Sequence, residues 1–276
     1  MTNWLITGIS GGLGRALAEA ALARGDSVAG TARRDDDLAA FAALSPRAHA
    51  YKVDMAQEDE VHSAVAAAER DLGGLDVLVN NAGYGLVGAV EESSLAEVRH
   101  QFEVNVFGPI AAINAVLPFF RARRAGRIIN ITSVSGLAAW AGTGVYCASK
   151  HALEGLGLTL AQEVEPLGIK VTNVEPGGMR TDYAGRSLVV AASKIDDYED
   201  TARNAERILG GHAGHESGDP AKVAAAILKV ADAEAPPLQL LLGADAVHYA
   251  TQRMAAFQEE FGRWAPVSFS TAFDAG

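Results

Sequence analysis

The chain has a single cysteine, Cys147, among 276 residues. One cysteine cannot form an internal disulfide or a multi-cysteine metal site, which fits a reducing compartment. Positive charge is also scarce, because 23 lysines and arginines face 34 aspartates and glutamates, for a formal net charge of -11. Nucleic acid binding needs clustered cations, and the sequence has no such cluster, so we expect no nucleic-acid partner.

Long apolar runs are scarce as well. Asn, Gly, Arg or Glu interrupts every apolar stretch before the roughly 18 residues that a membrane-spanning helix needs, so no membrane partner is expected. The first residues, Met1-Thr2-Asn3, lead into an apolar segment without a basic run or a cleavage site. Together these features predict a cytoplasmic protein.

Short apolar runs alternate with longer segments of helical periodicity, which is typical of strands joined by crossover helices into a buried parallel sheet. Strands are expected near Trp4–Thr7, Val28–Ala32, Ala48–Val53, Val77–Asn80, Arg127–Thr132, Ile169–Val174 and Leu238–Leu242. Helices are expected near Leu13–Arg24, Glu58–Leu72, Leu95–Ala122, Val145–Val164, Pro220–Ala231 and Ala246–Phe261. We therefore predict an α/β fold, a doubly wound seven-stranded parallel sheet with helices on both faces.

The sequence indicates one domain, because no repeat, low-complexity tract or flexible linker divides it. We expect that domain to span residues 1–262, followed by a C-terminal tail at 263–276. The stretch 182–219 has scattered apolar residues but no strand pattern. A long insertion after the sixth strand is a candidate lid over a binding site.

A glycine-rich turn, Gly8-Ile9-Ser10-Gly11-Gly12-Leu13-Gly14, follows the first strand and opens the first helix. Such a turn needs glycines to bend tightly, to bring backbone N–H groups close to a pyrophosphate and to pack the helix on its strand. Gly8, Gly12 and Gly14 match these needs, with Leu13 beside them. The turn predicts a dinucleotide site, and the alternative is an ordinary strand-to-helix loop.

The end of the second strand bears on the choice between NAD and NADP. A carboxylate there binds the ribose 2'-OH, whereas an arginine meets a 2'-phosphate. If the strand ends at Thr31, Ala32 occupies the acidic position and Arg33 follows it, which favours NADP, with Ser10 as a further contact. If the strand runs on, Asp35 or Asp36 meets the ribose instead.

Tyr146 and Lys150 are four residues apart on a predicted helix, so their side chains share one face. A cation about 4 Å away in an effective dielectric of about 20 favours the phenolate by about 4 kcal/mol, which is roughly three pKa units. Tyr146 thereby comes into the range of a general acid or base. Ser133 ends the fifth predicted strand, thirteen residues earlier, at the sheet edge where ligands bind.

With these motifs in this order, the sequence resembles the short-chain dehydrogenase/reductase family in its shorter, single-domain form. The resemblance implies a Rossmann-type fold and an enzyme that exchanges a hydride between a nicotinamide and an alcohol or carbonyl carbon. It spans nearly the whole chain. Its motifs are Thr7 to Gly14, Asp54, Asn80-Asn81-Ala82-Gly83, Asn105, Ser133, Tyr146 with Lys150, and Pro176-Gly177 with Thr181.

The resemblance implies a role for each catalytic residue. Tyr146 donates the proton to the carbonyl oxygen and Ser133 hydrogen-bonds that oxygen. Lys150 lowers the tyrosine pKa and holds the nicotinamide ribose, and Asn105 holds a water that links Lys150 to solvent. No metal is implied. Ser135 is an alternative active hydroxyl, and Asn105 is alternatively a residue that stabilises a kinked helix.

The resemblance also implies cofactor contacts. Asp54 would contact the adenine, or else cap a helix. The segment Asn81-Ala82-Gly83 would line the adenosine, or else brace the sheet. Pro176, Gly177 and Thr181 would flank the nicotinamide.

Other residues invite readings that we do not favour. Cys147 is expected to pack in the core, because the sequence offers no histidine partner for a nucleophile. His212 and His215 lack metal-ligating neighbours. The helix of Tyr146 carries small residues, which predict either a homodimer or homotetramer interface or close packing within one subunit: Ala148, Ala152, Gly155 and Gly157.

The leading hypothesis is an oxidoreductase that uses NADP(H), or alternatively NAD(H), on a small-molecule ketone or secondary alcohol. A cofactor-binding sensor or scaffold and an enoyl reductase relative are the alternatives. The segments 175–182 and 236–243 also resemble bacterial oxidoreductases that are similar to 17β-hydroxysteroid dehydrogenases. Members of that group do not share one substrate, so the substrate stays open.

Overall fold

The computed structural model describes residues 1–181, 188–211 and 214–273. Seven parallel strands form one sheet in the order β3-β2-β1-β4-β6-β7-β9, which confirms the predicted sheet. The strands are β1 Asn3–Thr7, β2 Ser27–Ala32, β3 Ala48–Lys52, β4 Val77–Asn80, β6 Gly126–Ile131, β7 Ile169–Pro176 and β9 Gln239–Leu242. A separate parallel pair joins β5 Gly85–Val87 to β8 Leu188–Val190.

Helices cover both faces of the sheet. They are α1 Gly12–Ala23, α2 Asp35–Ala42, α3 Glu58–Asp71, α4 Leu95–Phe102, α5 Gly108–Arg123, α6 Gly144–Val164, α7 Ala202–Gly211, α8 Pro220–Asp232 and α9 Ala244–Phe269. A π-helical turn, Glu103–Phe107, joins α4 to α5.

Each face of the sheet has its own apolar core. Along β1, Trp4 and Ile6 pack against α1 and α8, while Leu5 packs on the opposite side against α3, α5 and α6. All three side chains are at most 1% exposed. Alternate residues of a strand point to opposite faces, so the continuous apolar run of β1 reflects burial on both sides.

The structure departs from the expectations in three regions. α2, α7 and the β5–β8 pair had not been expected from the sequence. The last helix runs to Phe269, eight residues beyond its predicted end at Phe261, and the tail at 263–276 stays a prediction. Gly262 lies inside this helix, where one internal glycine costs only about 1 kcal/mol. The candidate lid is partly described, because residues 182–187, 212 and 213 lie outside the described ranges.

One further correction concerns apolar length. In length and composition alone, the helical stretch Leu95–Arg123 meets the criteria for a membrane-spanning helix, with a mean hydropathy of 1.4 in its most apolar window. Counting uninterrupted apolar residues had missed it. Half of that window is buried, and Ala112, Val116 and Phe120 of α5 belong to the core against α3.

Candidate active site

The predicted site residues lie at the carboxyl edge of the sheet, where the strand order reverses. β1 pairs with β2 on one side and β4 on the other, and the chain winds outward from it in both directions. In open α/β sheets, such a reversal is where a crevice outside the carboxyl ends of the strands binds ligands.

The turn between β1 and α1 has the backbone of a phosphate-binding loop. Gly8 and Gly12 have φ of +76° and +56°, which favours glycine. A Cβ on Gly14 would overlap the Gly8 carbonyl oxygen and the Asn81 amide. α1 has no side-chain cap and no acidic residue in its first turn, so its first amides are available to an anion. The turn therefore fits a dinucleotide.

The segment after β4 braces that turn. Asn81 Nδ2 donates to the carbonyl oxygens of Thr7 at 2.8 Å and Gly8 at 2.9 Å. The backbone N–H groups of Asn81 and Ala82 both donate to Thr7 Oγ1 at 2.9 Å. The contacts of Asn81 in this structure are therefore those of a residue that braces the strand end and the turn, which was the alternative to a cofactor contact.

Arg33 emerges beside the glycine turn. β2 ends at Ala32, and the Gly8 N–H donates to the Thr31 carbonyl oxygen at 3.1 Å. This bond holds the start of the glycine turn against the end of β2, so Ser10 and Arg33 follow it on the same side of the site. Both side chains are exposed.

The continued strand that would bring Asp35 to the ribose does not form, because α2 begins at Asp35. Acidic residues suit the first turn of a helix. Asp35 pairs with Lys52 at 2.9 Å and Asp36 with Arg34 at 3.6 Å. Arg33 has no ion pair among the described residues.

Ser133, Tyr146 and Lys150 are brought together by β6 and α6. Lys150 Nζ donates to the Ile131 carbonyl oxygen at 2.9 Å and lies 5.9 Å from the centre of the Tyr146 ring. Ser133 Oγ accepts the Ser135 N–H at 3.1 Å, which leaves the hydroxyl proton of Ser133 to donate. Ser135, the alternative hydroxyl, lies in the short 3₁₀ turn that Ser133 caps.

Burial lowers the pKa of Lys150 to about 8. The side chain is only 5% exposed. The expectation that this ammonium stabilises the phenolate of Tyr146 stays a prediction.

Asn105 lies in the π-helical turn, and such turns are frequent at functional sites. Its Nδ2 donates to the Tyr84 carbonyl oxygen at 2.9 Å, and its Oδ1 accepts the Tyr84 N–H at 3.1 Å. A Cβ on Gly83 would lie 3.1 Å from Asn105 Oδ1 and 3.6 Å from Lys150 Nζ. A side chain at position 83 would therefore crowd both the Asn105 amide and the Lys150 ammonium.

The remaining predicted contacts lie around the same crevice. Asp54 Oδ1 accepts the Ala56 N–H at 3.0 Å, so it closes a turn before α3, whose N-cap is Gln57. Thr181 lies over the glycine turn, because a Cβ on Gly12 would be 3.5 Å from its Cβ.

Asp245, at the start of α9, was missed from the sequence. Its Oδ2 accepts the Gly178 N–H at 2.7 Å, and a Cβ on Gly177 would overlap its carboxylate. Asp245 thus fixes the loop that follows Pro176 at the end of β7. The sequence signal that could have pointed to this residue is an acidic side chain two positions after Gly243, in the first turn of a helix that follows a strand.

A chain of buried amides joins three neighbouring strands of the sheet to α6. Asn80 Nδ2 donates to Asn130 Oδ1 at 2.9 Å, and Asn130 Nδ2 donates to Asn173 Oδ1 at 3.0 Å. Asn173 Nδ2 then donates to Glu154 Oε1 at 2.8 Å. This chain links β4, β6 and β7 to α6, one turn beyond Lys150.

Glu175, next to Pro176, is fully buried. Burial, and then repulsion from the Glu154 carboxylate, raises the pKa of Glu175 to about 8. The pair therefore holds a proton at neutral pH.

The described part of the candidate lid is anchored by Glu92 and by the turn before α6. Glu92, only 3% exposed, accepts the Ile195 N–H at 2.7 Å and the Ala89 N–H at 2.8 Å. These two backbone bonds lower the pKa of Glu92, and the nearby Arg203 lowers it further. A Cβ on Gly142, just before α6, would overlap the Ala202 carbonyl oxygen of α7.

Other predictions have mixed outcomes. Cys147 is 3% exposed, and its Sγ lies 3.3 Å from Thr143 Oγ1. No cluster of metal-ligating residues occurs within the described ranges, and His212 lies outside them. A Cβ on Gly157 would overlap the Asn173 side chain, so packing within the subunit explains that glycine. Gly155 has open space, and the interface prediction for its face stays a prediction.

Comparison with known proteins agrees with this geometry. The family model described as short chain dehydrogenase matches residues 2–188. Oxidoreductase BOA17 of Botryotinia fuckeliana is 37% identical over 98% of both chains. The crystal structure of a short-chain dehydrogenase from Streptomyces avermitilis is 42% identical, with a TM-score of 0.92, and covers 99% of this chain and 100% of that one.

Two more solved structures hold nicotinamide cofactors. ElxO with NADP bound is 25% identical, with a TM-score of 0.74 over 90% of this chain and 99% of that one. A short-chain dehydrogenase/reductase from Burkholderia phymatum in complex with NAD is 24% identical, with a TM-score of 0.83 over 94% and 95%. The last likeness shows the fold alone.

Proposed function

Because the chain belongs to the short-chain dehydrogenase family of NAD(P)-dependent oxidoreductases, we propose that it is an NADP(H)-dependent carbonyl reductase or secondary alcohol dehydrogenase. The observation that carries the proposal is the buried Lys150, which lies near the Tyr146 ring and is held on the carbonyl oxygen of Ile131, two residues before Ser133.

The residues divide the chemistry between them. Ser133 donates a hydrogen bond to the substrate oxygen, and Tyr146 donates the proton to that oxygen in reduction or removes it in oxidation. Lys150 stabilises the phenolate through its charge. A bound nicotinamide supplies or accepts the hydride. The described lid, anchored by Glu92, limits water access from the side of α7.

The cofactor would be held by the features that fit it. The amides at the start of α1 would face the pyrophosphate, and Asp245 would keep the Gly177-Gly178 loop in place beside the nicotinamide. Arg33 supports the choice of NADP, because it is exposed at the end of β2 and has no ion pair among the described residues. A 2'-phosphate would give it a charge-assisted partner.

Tyr146→Phe tests the proposal. The variant removes one ionisable oxygen, so turnover with a panel of ketones and NADPH should fall by about two to four decades while NADPH affinity stays within a few-fold. Tyr51→Phe is the matched control, because that hydroxyl bonds Asp71 on α3, away from Lys150. A Tyr146→Phe enzyme that keeps more than about a tenth of the activity would contradict the assigned proton donor. Wild-type protein that binds NADPH but reduces no ketone would favour the sensor or scaffold.

The likeness to 17β-hydroxysteroid dehydrogenases stays a prediction, and the substrate panel decides it.

A further inference from the structure

The last helix, α9, leaves the body of the protein. Its 26 residues extend about 39 Å at 1.5 Å per residue. Ala246 and Ala250 are buried near its start, whereas every residue from 251 to 264 is exposed. In proteins most helical stability comes from packing an apolar face, so an exposed helix raises the question of what covers it.

The exposed part carries such a face. Met254, Phe257, Phe261 and Trp264, which we call the apolar stripe, are 70%, 58%, 57% and 60% exposed. Their spacing of three, four and three residues places them on one side of the helix. It is also the spacing of the residues that interlock in coiled coils. Large aromatic side chains in a continuous exposed row mark an interaction surface, unlike single surface apolar residues.

The order of these residues suits a second copy of the same helix. The spacing of the stripe is the same in both chain directions, because its four residues are placed symmetrically about position 259. An antiparallel pair of α9 helices related by a two-fold axis would place Met254 against the partner's Trp264 and Phe257 against the partner's Phe261. A two-fold interface needs this kind of self-complementary surface.

The area agrees with a stable dimer. An aromatic residue buries about 150–250 Å² when it is fully covered. Because these side chains are about half to three quarters exposed, the stripe with its exposed neighbours Val247, Val267 and Phe269 offers roughly 700 Å² of surface on each subunit. Stable interfaces bury about 800 Å² per partner, and the polar side chains flanking the stripe would supply the remainder.

The charge disfavours a bilayer as the occupant. Helices that lie on membranes carry an excess of Lys and Arg on their polar face. Here Arg253 and Arg263 are balanced by Glu259 and Glu260, and the whole chain has a net charge of -11. Anionic lipid would repel this protein, whereas a second copy needs no basic excess.

We propose that the apolar stripe of α9 pairs antiparallel with the stripe of a second copy and joins two subunits through their C-terminal helices.

The full-length protein, at about 20 μM and physiological salt, tests this by analytical ultracentrifugation. Phe257→Glu with Phe261→Glu should halve the wild-type mass. Ala255→Glu with Ala256→Glu is the matched control, because it adds the same two charges to exposed positions on the other side of the helix, and it should keep the wild-type mass. Circular dichroism should show all three proteins folded, since every substituted position is exposed.

A wild-type protein with the 28.7 kDa mass of one chain would overturn the proposal. Equal masses for wild type and stripe variant would also overturn it, because another surface would then hold the subunits. A third contrary result is a wild-type protein that floats with phosphatidylcholine–phosphatidylserine vesicles and a stripe variant that does not.

Discussion

Glu175→Gln should remove a pH dependence from the stability of the fold. Glu175 is fully buried and Glu154 is 4% exposed, so the pair cannot share two negative charges cheaply. The pKa of Glu175 rises from 4.5 to about 8, chiefly through burial and then through Glu154. The folded protein therefore binds more protons than the unfolded chain between those two values.

The sign follows from this difference. Stability falls with rising pH wherever the folded state holds the extra proton, so the contribution is complete below about pH 4.5 and is lost as pH rises through about 8. At 1.36 kcal/mol per pKa unit, the loss has an upper limit of about 5 kcal/mol. This is a large share of the roughly 5–15 kcal/mol that stabilises a typical domain.

Urea unfolding followed by circular dichroism from pH 5 to pH 9 measures the effect. Glu175→Gln keeps a neutral side chain of the same shape, so it should match wild type near pH 5 and be more stable by about 1 kcal/mol or more near pH 9. Glu163→Gln on the exposed side of α6 is the control and should follow wild type. If wild type and Glu175→Gln lose stability in parallel across this range, the buried pair does not hold the proton and the reasoning is wrong.

Three further outcomes are expected. The NADPH affinity of wild type should fall above pH 8, because Lys150 then loses its charge, whereas Lys150→Arg should bind NADPH equally at pH 7 and pH 9.5. Fluorescence titration measures both affinities, and a wild-type affinity that does not change with pH would contradict the prediction. Ala32→Asp with Arg33→Ser should reverse an NADP preference of roughly tenfold to a hundredfold in kcat/KM, and an unchanged ratio would remove Arg33 from the cofactor site. Gly157→Ala should lower Tm by several degrees because its Cβ meets Asn173, whereas Gly155→Ala, with open space, should raise Tm slightly; equal shifts would refute the packing argument.

The sequence by itself determined the features whose cause is local. The sequence predicted all seven strands of the sheet within two residues at each end. The central strands stand out as apolar runs because both of their faces are buried, whereas β3 and β9, at the edges of the sheet, have no fully buried residue. The four-residue spacing of Tyr146 and Lys150 put them on one face of α6 wherever that helix packs. The glycines at 8, 12 and 14 indicated a tight turn before its surroundings were known.

The tertiary structure alone decided the features that join distant segments. Asp245 meets Gly178 across 67 residues, and Glu92 meets Ile195 across 103. No periodicity within either segment encodes such a pairing, because the register of the sheet and the lengths of the loops select it. The same holds for Gly155 and Gly157, which look alike in the sequence: one faces open space and the other leaves room for Asn173, because only the docking of α6 on β7 determines which side of the helix is crowded.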